Sequence, residues 1–443
     1  MTTAPPTLST RRIAIASAIG AVIEWYDFFL YGTAAGLVFT DLFFSGLTGA
    51  TAQFASFGTF AVGFLARPVG GLIFGHFGDR LGRKKMLILT LLIMGLGTAA
   101  IGLLPTYAQI GIWAPILLVT LRVLQGIGIG GEYAGGVLIA AEFAPPKRRG
   151  YFASFAHIGV PGGLLLASSA FFLASLLPDQ AFLTWGWRAC FLLSTALLAV
   201  GAWIRLSVME TPAFARVQER KEIARVPLRE LLAHQSGRLL LGMGTRFIEG
   251  FTFNFFSVYL LTYVVTTADI SKSFALIGIA CGAGVGVVLV PISGALTDRF
   301  GRKPVYRIGT WLALAFAFPG AALAQSGNRL EIFIMFVIGL GVLYGTIYGP
   351  LASFWSELFS TRYRYTALST LYQGSGVVAS GMTPLIAGWL AEWASGTLWL
   401  VAAYNVLVAV ISLTCARFLP ETRGFEIERA VEAPADPAVL AAA

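Results

Sequence analysis

Charged residues are scarce in this chain of 443 residues, since only 12% of them are Asp, Glu, Lys or Arg. Soluble domains carry about 25% charged residues. Half that share is too little to cover a globule of this size with hydrated groups, which excludes a soluble protein. The chain is instead 57% hydrophobic, and its apolar residues come in runs of about 20 to 28, long enough for a helix to cross a bilayer.

Cysteines are few, and metal-ligand clusters and catalytic motifs are missing. The three cysteines, Cys190, Cys281 and Cys415, fall in or beside apolar runs without metal-ligand spacing, and we expect them to be small buried hydrophobic side chains. The sequence contains no H-E-x-x-H motif and no nucleotide-binding loop. We therefore expect no enzyme activity, no cofactor and no metal site. A receptor would lack an output module, because there is no sizeable soluble domain.

The apolar runs predict an all-α membrane protein with twelve transmembrane helices. The predicted spans are 13–40, 52–76, 86–104, 112–143, 151–177, 187–207, 239–266, 273–297, 304–325, 330–358, 366–391 and 397–419. Basic residues concentrate in alternate connections and in both tails, whereas the other side has only Arg188, Lys272 and Arg329. By the positive-inside rule this asymmetry places both termini in the cytoplasm. The net charge of +9 therefore reflects topology and does not indicate a nucleic-acid partner.

One long polar segment divides the predicted spans six and six, which indicates two pseudo-symmetric six-helix bundles related by a repeat. The N-terminal bundle is expected over 1–207 and the C-terminal bundle over 239–419. Between them we expect a cytoplasmic central loop at 208–238, and after them a short cytoplasmic tail at 420–443.

A short pattern, G-x-x-x-D-R-x-G-R-K, occurs after span two at Gly75–Lys84 and again after span eight at Gly294–Lys303. Glycine allows a tight turn, aspartate can accept hydrogen bonds from a helix N-terminus, and arginine can pair with carboxylates at helix ends. The pattern predicts a cytoplasmic gate that holds the two halves together, whereas a purely topogenic loop would explain the arginines alone. The expected gate residues are Asp79, Arg80, Arg83, Glu142, Asp298, Arg299, Arg302, Glu357 and Arg362.

The repeated pattern resembles the signature of the major facilitator superfamily, and the resemblance covers nearly the whole chain. Three further stretches look like its metabolite:proton symporter family: E-W-Y-D-F-F-L-Y-G from Glu24, R-P-V-G-G-L-I-F-G-H-F-G-D from Arg67, and R-V-L-Q-G-I-G-I-G-G-E-Y from Arg122. The resemblance implies a functional monomer in the bacterial inner membrane that carries organic acids or zwitterionic osmolytes with protons. Osmosensing members have a long coiled-coil tail, and the short tail after Glu421 has no heptads, which argues against an osmosensor.

Ionisable side chains near the middle of the predicted spans are the strongest functional signal. Each would cost about 2.5 to 3.5 kcal/mol at the bilayer centre, so together they must pair or line water. Helical spacing groups most of them into one stripe on each of spans one, four and seven. We expect these stripes to converge on a central cavity. The residues are Glu24, Asp27, Arg67, Arg122, Glu132, Arg246 and Glu249.

Asp27 is the candidate proton carrier, with Arg122 as its switching partner. In the family that the chain resembles, an acidic residue on span one pairs with an arginine on span four, and these two residues occupy the matching positions. A carboxylate removed from water binds a proton more readily, so protonation of Asp27 would release Arg122 and favour substrate binding. A static ion pair is the alternative. Glu24 and Glu132 are the further proton-coupling candidates.

Arg67 and Arg246 are the candidates for holding a substrate carboxylate, since a guanidinium group can bind it bidentately. The alternative is that Arg67 pairs with Glu132 or Glu24, and Arg246 with Glu249, for packing alone. For the aromatic residues, too, packing is the alternative to binding. The other expected binding residues are Tyr31, Gln125, Glu249, Tyr344, Tyr372 and Gln373.

The sequence thus predicts a secondary active transporter that carries out proton-coupled symport of a small organic-acid metabolite by alternating access. Symport of a zwitterionic osmolyte such as betaine or proline, and uncoupled facilitation or export, are the alternatives. The expected partners are a small-molecule substrate, protons and the lipid bilayer. His157 in span five is either a proton relay or a hydrogen-bonded histidine of the pore.

Overall fold

The computed structural model describes residues 10–47, 49–81, 83–130, 133–207, 227–359 and 364–425. Within these ranges the side chains of some helical residues, among them those of 75–88, are not described. Almost every described residue is helical, and this part of the chain contains no strand. Several predicted site residues have side chains outside the description: Asp79, Arg80, Arg83, Glu132 and Arg362.

The described residues form twelve long helices in two sets of six. The first set is α1 (Thr10–Leu37), α2 (Gly49–Leu81), α3 (Arg83–Leu103), α4 (Trp113–Gly130 and Tyr133–Glu142), α5 (Arg149–His157 and Gly159–Ser175) and α6 (Trp187–Ser207). The second set is α7 (Pro227–Asn254, Phe255–Tyr259 and Leu260–Thr266), α8 (Lys272–Phe300), α9 (Arg302–Gln325), α10 (Arg329–Phe336, Val337–Leu343 and Tyr344–Leu358), α11 (Arg364–Gly376, Val377–Gly381 and Thr383–Trp393) and α12 (Trp399–Phe418). Eight of them, α4 to α10 and α12, are long and apolar enough over their described residues to cross a membrane.

The second copy of the repeated pattern forms a much tighter connection than the predicted spans suggest. Helix α8 continues to Phe300 and α9 begins at Arg302, so only Gly301 separates them. Gly301 has a φ of +102°, which glycine adopts without a steric penalty. Asp298 and Arg299 therefore belong to the last turn of α8. We call the end of the molecule where α2 leads into α3 and α8 into α9 the motif end, and the other the opposite end.

Helices α2 and α4 contact each other backbone to backbone. A Cβ atom on Gly126 or Gly130 would overlap carbonyl groups of α2. Helices α8 and α10 pack in the same way in the second bundle, where a Cβ on Gly349 would overlap the Ser293 side chain. Small residues permit this close approach, and van der Waals packing then drives helix association in lipid. The approach brings Arg67 of α2 and Arg122 of α4 to the same aromatic ring, that of Phe28.

The two bundles meet where α5 packs against α8 and α10, α2 against α11, and α1 against α7. At the opposite end, Thr262 Oγ1 donates to the carbonyl of Gly36 at 3.3 Å, and the hydroxyls of Ser175 and Ser273 lie 2.9 Å apart. At the motif end, the start of α5 lies against the end of α8. Contacts between the bundles therefore occur at both ends, and the central charged residues lie between them.

The cysteines only partly follow the expectation of small buried side chains. Cys190 is buried and Cys415 is half-buried. Cys281 is exposed, so the expectation of burial was wrong for this residue. Cys281 lies on α8, whose apolar outer face accounts for an exposed cysteine in a hydrophobic span, because lipid solvates apolar surface that water would not.

Candidate substrate and proton site

Three buried guanidinium groups occupy the centre of the molecule, and we call Arg67, Arg122 and Arg246 the central arginine cluster. They come from α2, α4 and α7, so both bundles contribute. Arg67 lies within electrostatic range of both other arginines. The Phe28 ring separates the two guanidinium groups of the first bundle, with its centroid 4.2 Å from Arg67 Cζ and 4.4 Å from Arg122 Cζ. The cluster therefore runs from α4 through α2 to α7 across the bundle interface.

Arg67 presents unused hydrogen-bond donors to this interface. The residue is 1% exposed, and none of its three guanidinium nitrogens has a hydrogen-bond partner among the described residues. Its Cζ atom lies 4.1 Å from the Phe64 ring and 5.5 Å from the Trp25 ring, and Glu24 lies within electrostatic range. A buried guanidinium normally forms hydrogen bonds, so Arg67 is suited to receive an anionic group.

Arg122 is held by contacts that differ from the predicted ion pair. Its Cζ atom lies 4.1 Å from the Tyr31 ring, and its Nη1 donates to Gln125 Oε1 at 3.3 Å. The Nε and Nη2 atoms have no hydrogen-bond partner in the described part of the chain. A Cβ at Gly63 would overlap this guanidinium, which gives that glycine a packing role beside the cluster.

Asp27 points away from the central arginine cluster. It accepts a hydrogen bond from Ser194 Oγ of α6 at 2.6 Å and forms no ion pair with Arg122, although both residues are described. The physical reason is helical geometry: Phe28 and Tyr31 share the face of α1 that meets Arg122, and Asp27 lies to one side of it. The residues that the spacing predicted to share one stripe of span one therefore face two different helices: Asp27 faces α6, and Tyr31 faces α4.

A chain of polar side chains nevertheless links Asp27 with Arg122. Thr98 of α3 lies next to the Asp27 carboxyl, and its Oγ1 accepts a hydrogen bond from Gln125 Nε2 at 2.7 Å. Gln125 in turn accepts from Arg122 at its amide oxygen. Thr98 and Ser194 were missed by the sequence reasoning, because single hydroxyl residues within an apolar span carry no distinctive signal.

Arg246 and Glu249 lie together on α7. Arg246 Nε is 3.4 Å from Glu249 Oε2, and the Arg246 Cζ atom lies 3.7 Å from the centroid of the Tyr372 ring. Tyr344 donates to Glu249 Oε1 at 3.2 Å. Glu249 Oε2 has no hydrogen bond from any described residue. The pair predicted as the packing alternative is thus present, and Glu249 Oε2 takes part in it without forming a hydrogen bond.

Gln373 and the tyrosines of α10 and α11 extend the site across the bundle interface. Gln373 Nε2 donates to the carbonyls of Ile129 and Gly130 on α4, at 3.4 and 3.2 Å, and its Oε1 has no hydrogen bond from the described residues. Helices α7, α10 and α11 each contain a π-helical turn, a feature frequent at functional sites. The Tyr344 position directly follows one of these turns.

The motif end carries a network centred on two carboxylates of the second bundle. Asp298 accepts hydrogen bonds from the backbone N–H groups of Gly150 and Tyr151, the second and third residues of α5, at 2.8 and 2.9 Å. Arg302 Nη1 also donates to Asp298, at 2.8 Å. An acidic side chain at a helix N-terminus satisfies unpaired donors and the helix dipole. This contact joins the two bundles.

Glu357 is the second carboxylate of this network. It accepts from Arg302 Nε at 3.1 Å and Nη2 at 3.0 Å, from Arg149 Nη1 at 3.3 Å, and from Thr422 Oγ1 at 2.8 Å. Arg149 belongs to α5, so this carboxylate also links the bundles. Thr422, after the last helix, was missed as a member of the network.

Two predicted gate residues, Arg299 and Glu142, lie outside the network of Asp298 and Glu357. Arg299 is exposed and contacts the Phe300 ring at 5.2 Å, outside the carboxylate network, because it faces away from α5 on the last turn of α8. Glu142 Oε1 lies 4.0 Å from Arg364 Nη1, a longer pair that joins α4 of the first bundle to α11 of the second.

Two six-helix bundles that enclose buried charges at their interface have the architecture of a membrane transporter. The Major Facilitator Superfamily model matches residues 17–376 and 285–441. The chain is 38% identical over 434 residues to the inner membrane metabolite transport protein YhjE of Escherichia coli, covering 94% of this chain and 96% of that protein. It is also 38% identical to the shikimate transporter of the same organism, covering 93% and 95% of the two chains.

A third relative is the glycine betaine/proline/ectoine/pipecolic acid transporter OusA of Dickeya dadantii, with 35% identity over 96% of this chain and 86% of that protein. Among solved structures, the D-xylose-proton symporter has the same fold, with a TM-score of 0.71 at 22% identity over 93% of this chain and 98% of that one. The chain therefore belongs to the Major Facilitator Superfamily and is a transporter.

Proposed function

We propose that the protein carries out proton-coupled symport of a small organic acid by alternating access. The observation that carries this proposal is the buried Arg67 guanidinium, which has no hydrogen-bond partner among the described residues. Arg122 and Arg246 also retain unpaired nitrogens there. Donors that are buried without partners favour a ligand that supplies acceptors, and a carboxylate matches a guanidinium bidentately.

The substrate also carries a hydrogen-bond donor, on this proposal. Gln373 Oε1 is a buried acceptor without a hydrogen bond from described residues, and Glu249 Oε2 has only the 3.4 Å ion pair with Arg246. Glu249 also lies within electrostatic range of Arg67. A hydroxyl or N–H group would satisfy them, whereas a quaternary ammonium has no hydrogen to donate. This favours a hydroxylated or N–H-bearing acid over a betaine. The names of relatives include both a shikimate transporter and a betaine transporter.

Asp27 is the proposed proton carrier, and Thr98 and Gln125 connect it to Arg122. A proton on Asp27 removes the charge that accepts from Ser194 and lies beside Thr98. Rearrangement of this polar chain then changes the hydrogen bond that Gln125 accepts from Arg122. The coupling is therefore indirect, in place of the direct pair expected from the sequence.

We further propose that the motif end faces the cytoplasm of a bacterial cell, with both termini on that side, and that the protein works as a monomer. The positive-inside rule supports this orientation. The Asp298 and Glu357 network would then be the cytoplasmic gate, because its hydrogen bonds join the bundles there.

Uptake into proteoliposomes tests the proposal. Purified protein would be assayed for counterflow of radiolabelled hydroxy acids, amino acids and betaine, and then for accumulation driven by a pH gradient. We expect counterflow with a hydroxylated or N–H-bearing acid, a loss of at least tenfold in Arg67→Gln, and partial retention in Arg67→Lys. Asp27→Asn should keep counterflow and lose accumulation, since exchange needs no net proton movement.

Arg329→Gln is the matched control, because Arg329 is a surface residue at the start of α10 and should transport like the parent. Counterflow of betaine with no acid transported would overturn the substrate assignment. Full gradient-driven accumulation in Asp27→Asn would remove Asp27 as the carrier.

A further inference from the structure

Four aromatic rings close into a loop across the bundle interface, and we call Tyr133, His157, Tyr348 and Tyr372 the aromatic box. Tyr133 of α4 stacks on Tyr372 of α11, with ring centroids 3.4 Å apart and 10° between planes. His157 of α5 stacks on Tyr348 of α10, at 3.7 Å and 2°. Both stacks are nearly parallel, and each joins the first bundle to the second.

Within each bundle the two rings are joined by polar contacts. Tyr133 Oη lies 2.9 Å from His157 Nε2, and the hydroxyls of Tyr348 and Tyr372 lie 3.4 Å apart. Each bundle thus presents a linked pair of rings, and the two pairs meet face to face. Separation of the bundles at this level must break both stacks, because each stack has one ring from each bundle.

The hydrogen bonds determine the proton position on His157. Its Nδ1 lies 2.9 Å from the backbone carbonyl of Tyr348, and a carbonyl oxygen only accepts, so Nδ1 carries the proton. Nε2 lies within hydrogen-bond distance of the Tyr133 hydroxyl. The Nδ1–H of His157 therefore forms a hydrogen bond that joins the two bundles.

The aromatic box lies between the central arginine cluster and the motif end. His157 is eight residues after the start of α5 and Tyr372 eight after the start of α11, about 12 Å from the motif end at 1.5 Å per residue. On its inner side the box contacts the cluster directly, because the Tyr372 ring lies under Arg246. Any route from the cluster to the motif end passes this level.

We propose that the aromatic box is the inner gate that separates the central arginine cluster from the motif end, and that His157 is its positioning residue. The Nδ1–H bond to Tyr348 holds the histidine ring flat against the tyrosine, and the Tyr133 hydroxyl holds its edge. When the bundles open at the motif end, both stacks part and Tyr372 is freed beneath Arg246. The inference requires only a transporter with moving bundles and is independent of the proposed substrate and of proton coupling.

A thiol-accessibility experiment tests the gate without a substrate. The reporter is Ser375→Cys in a background without native cysteines; Ser375 is buried on α11, one turn beyond Tyr372. A membrane-impermeant maleimide would be applied to right-side-out and to inverted vesicles. We expect Tyr133→Leu and His157→Leu each to raise the labelling rate at least tenfold from the motif-end face, with no rise from the opposite face.

Conservative variants separate positioning from simple packing. His157→Asn retains an N–H donor near the Nδ1 position, so we expect labelling within threefold of the parent. Tyr133→Phe keeps the stack and loses the hydroxyl, and an intermediate rate is expected. Tyr306→Leu is the matched control, because this buried tyrosine donates to the carbonyl of Thr245 within the second bundle, and its labelling should be parental.

Each variant would be checked for a monodisperse elution profile, so that misfolding is not read as opening. Parental labelling of well-folded Tyr133→Leu and His157→Leu would overturn the gate. Labelling of His157→Asn at the His157→Leu rate would overturn the role assigned to the Nδ1–H bond.

Discussion

Removal of the Asp298 carboxylate should shift the protein toward a state that is open at the motif end. The carboxylate accepts two N–H groups of α5, from Gly150 and Tyr151, and these bonds exist only while the bundles meet. Its bond to Arg302 stays within the second bundle and is common to both states. Only the two cross-bundle bonds therefore enter the equilibrium between closed and open forms.

The size of the shift follows from these two bonds. A hydrogen bond to a charged group contributes about 1.5 to 3 kcal/mol, and the lower value applies here because Asp298 is partly exposed to solvent. Asp298→Ala should thus cost the closed form about 3 kcal/mol, which is about a hundredfold in the ratio of closed to open molecules. Asp298→Asn retains one acceptor oxygen, so about tenfold is expected.

Distances between spin labels would measure the populations. Labels at Lys147→Cys and Arg307→Cys, in a background without native cysteines, report the separation of the bundles at the motif end, because both positions are exposed and belong to different bundles. The open fraction should increase from the parent to Asp298→Asn to Asp298→Ala. Asp179→Ala is the control: Asp179 is an exposed acidic residue that starts a helix at the opposite end.

A parental distance distribution in Asp298→Ala would refute the reasoning, since it would mean that the helix-end contact does not bias the bundles. Equal shifts in the alanine and asparagine variants would refute the assumption that each of the two hydrogen bonds contributes separately. Such a result would indicate that the negative charge of Asp298 stabilises the closed form.

Three further predictions concern packing, coupling and the motif-end network. Gly130→Val should lower the melting temperature in thermal unfolding, because the added side chain clashes with α2 and overpacking costs about 1 to 3 kcal/mol. Gly136→Val should leave the melting temperature unchanged, because a Cβ at this position meets no atom within 4 Å. Gln125→Leu should lower the number of protons taken up per substrate, because it removes a link in the hydrogen-bonded series of side chains between Asp27 and Arg122. Proton uptake would be measured with a pH electrode in parallel with radiolabelled substrate uptake. Glu357→Gln should destabilise the protein by about 3 to 5 kcal/mol, seen as a lower melting temperature.

The architecture was predictable because lipid imposes simple rules on the chain. A spanning segment must satisfy its backbone internally and bury apolar side chains, so its length and composition are visible in the sequence. The duplicated pattern likewise indicated two related halves. The burial of Arg67, Arg122, Arg246 and Glu249 was predictable for the same reason, since an ionisable residue within an apolar run is costly and therefore conspicuous.

The pairing of those charges was not predictable. Spacing places Asp27 and Tyr31 on one stripe of α1. Because a helix face is wide enough to meet two neighbouring helices, Asp27 contacts Ser194 of α6, whereas Tyr31 contacts Arg122 of α4. Which neighbour each side chain meets depends on the rotation and crossing of the helices. The sequence does not encode those quantities in any local pattern.

Three properties could be inferred from the amino-acid sequence alone: the chain spans a membrane, its two halves are related by a repeat, and ionisable residues lie within its apolar spans. Each of these follows from the cost of placing a residue in hydrocarbon, a property of the residue and its immediate neighbours. Two features could be known only from the packing of the helices: Arg67 stays without a hydrogen-bond partner among the described residues, and His157 stacks on Tyr348 across the bundle interface. Those facts depend on contacts between helices far apart in the chain, where packing selects one partner among many.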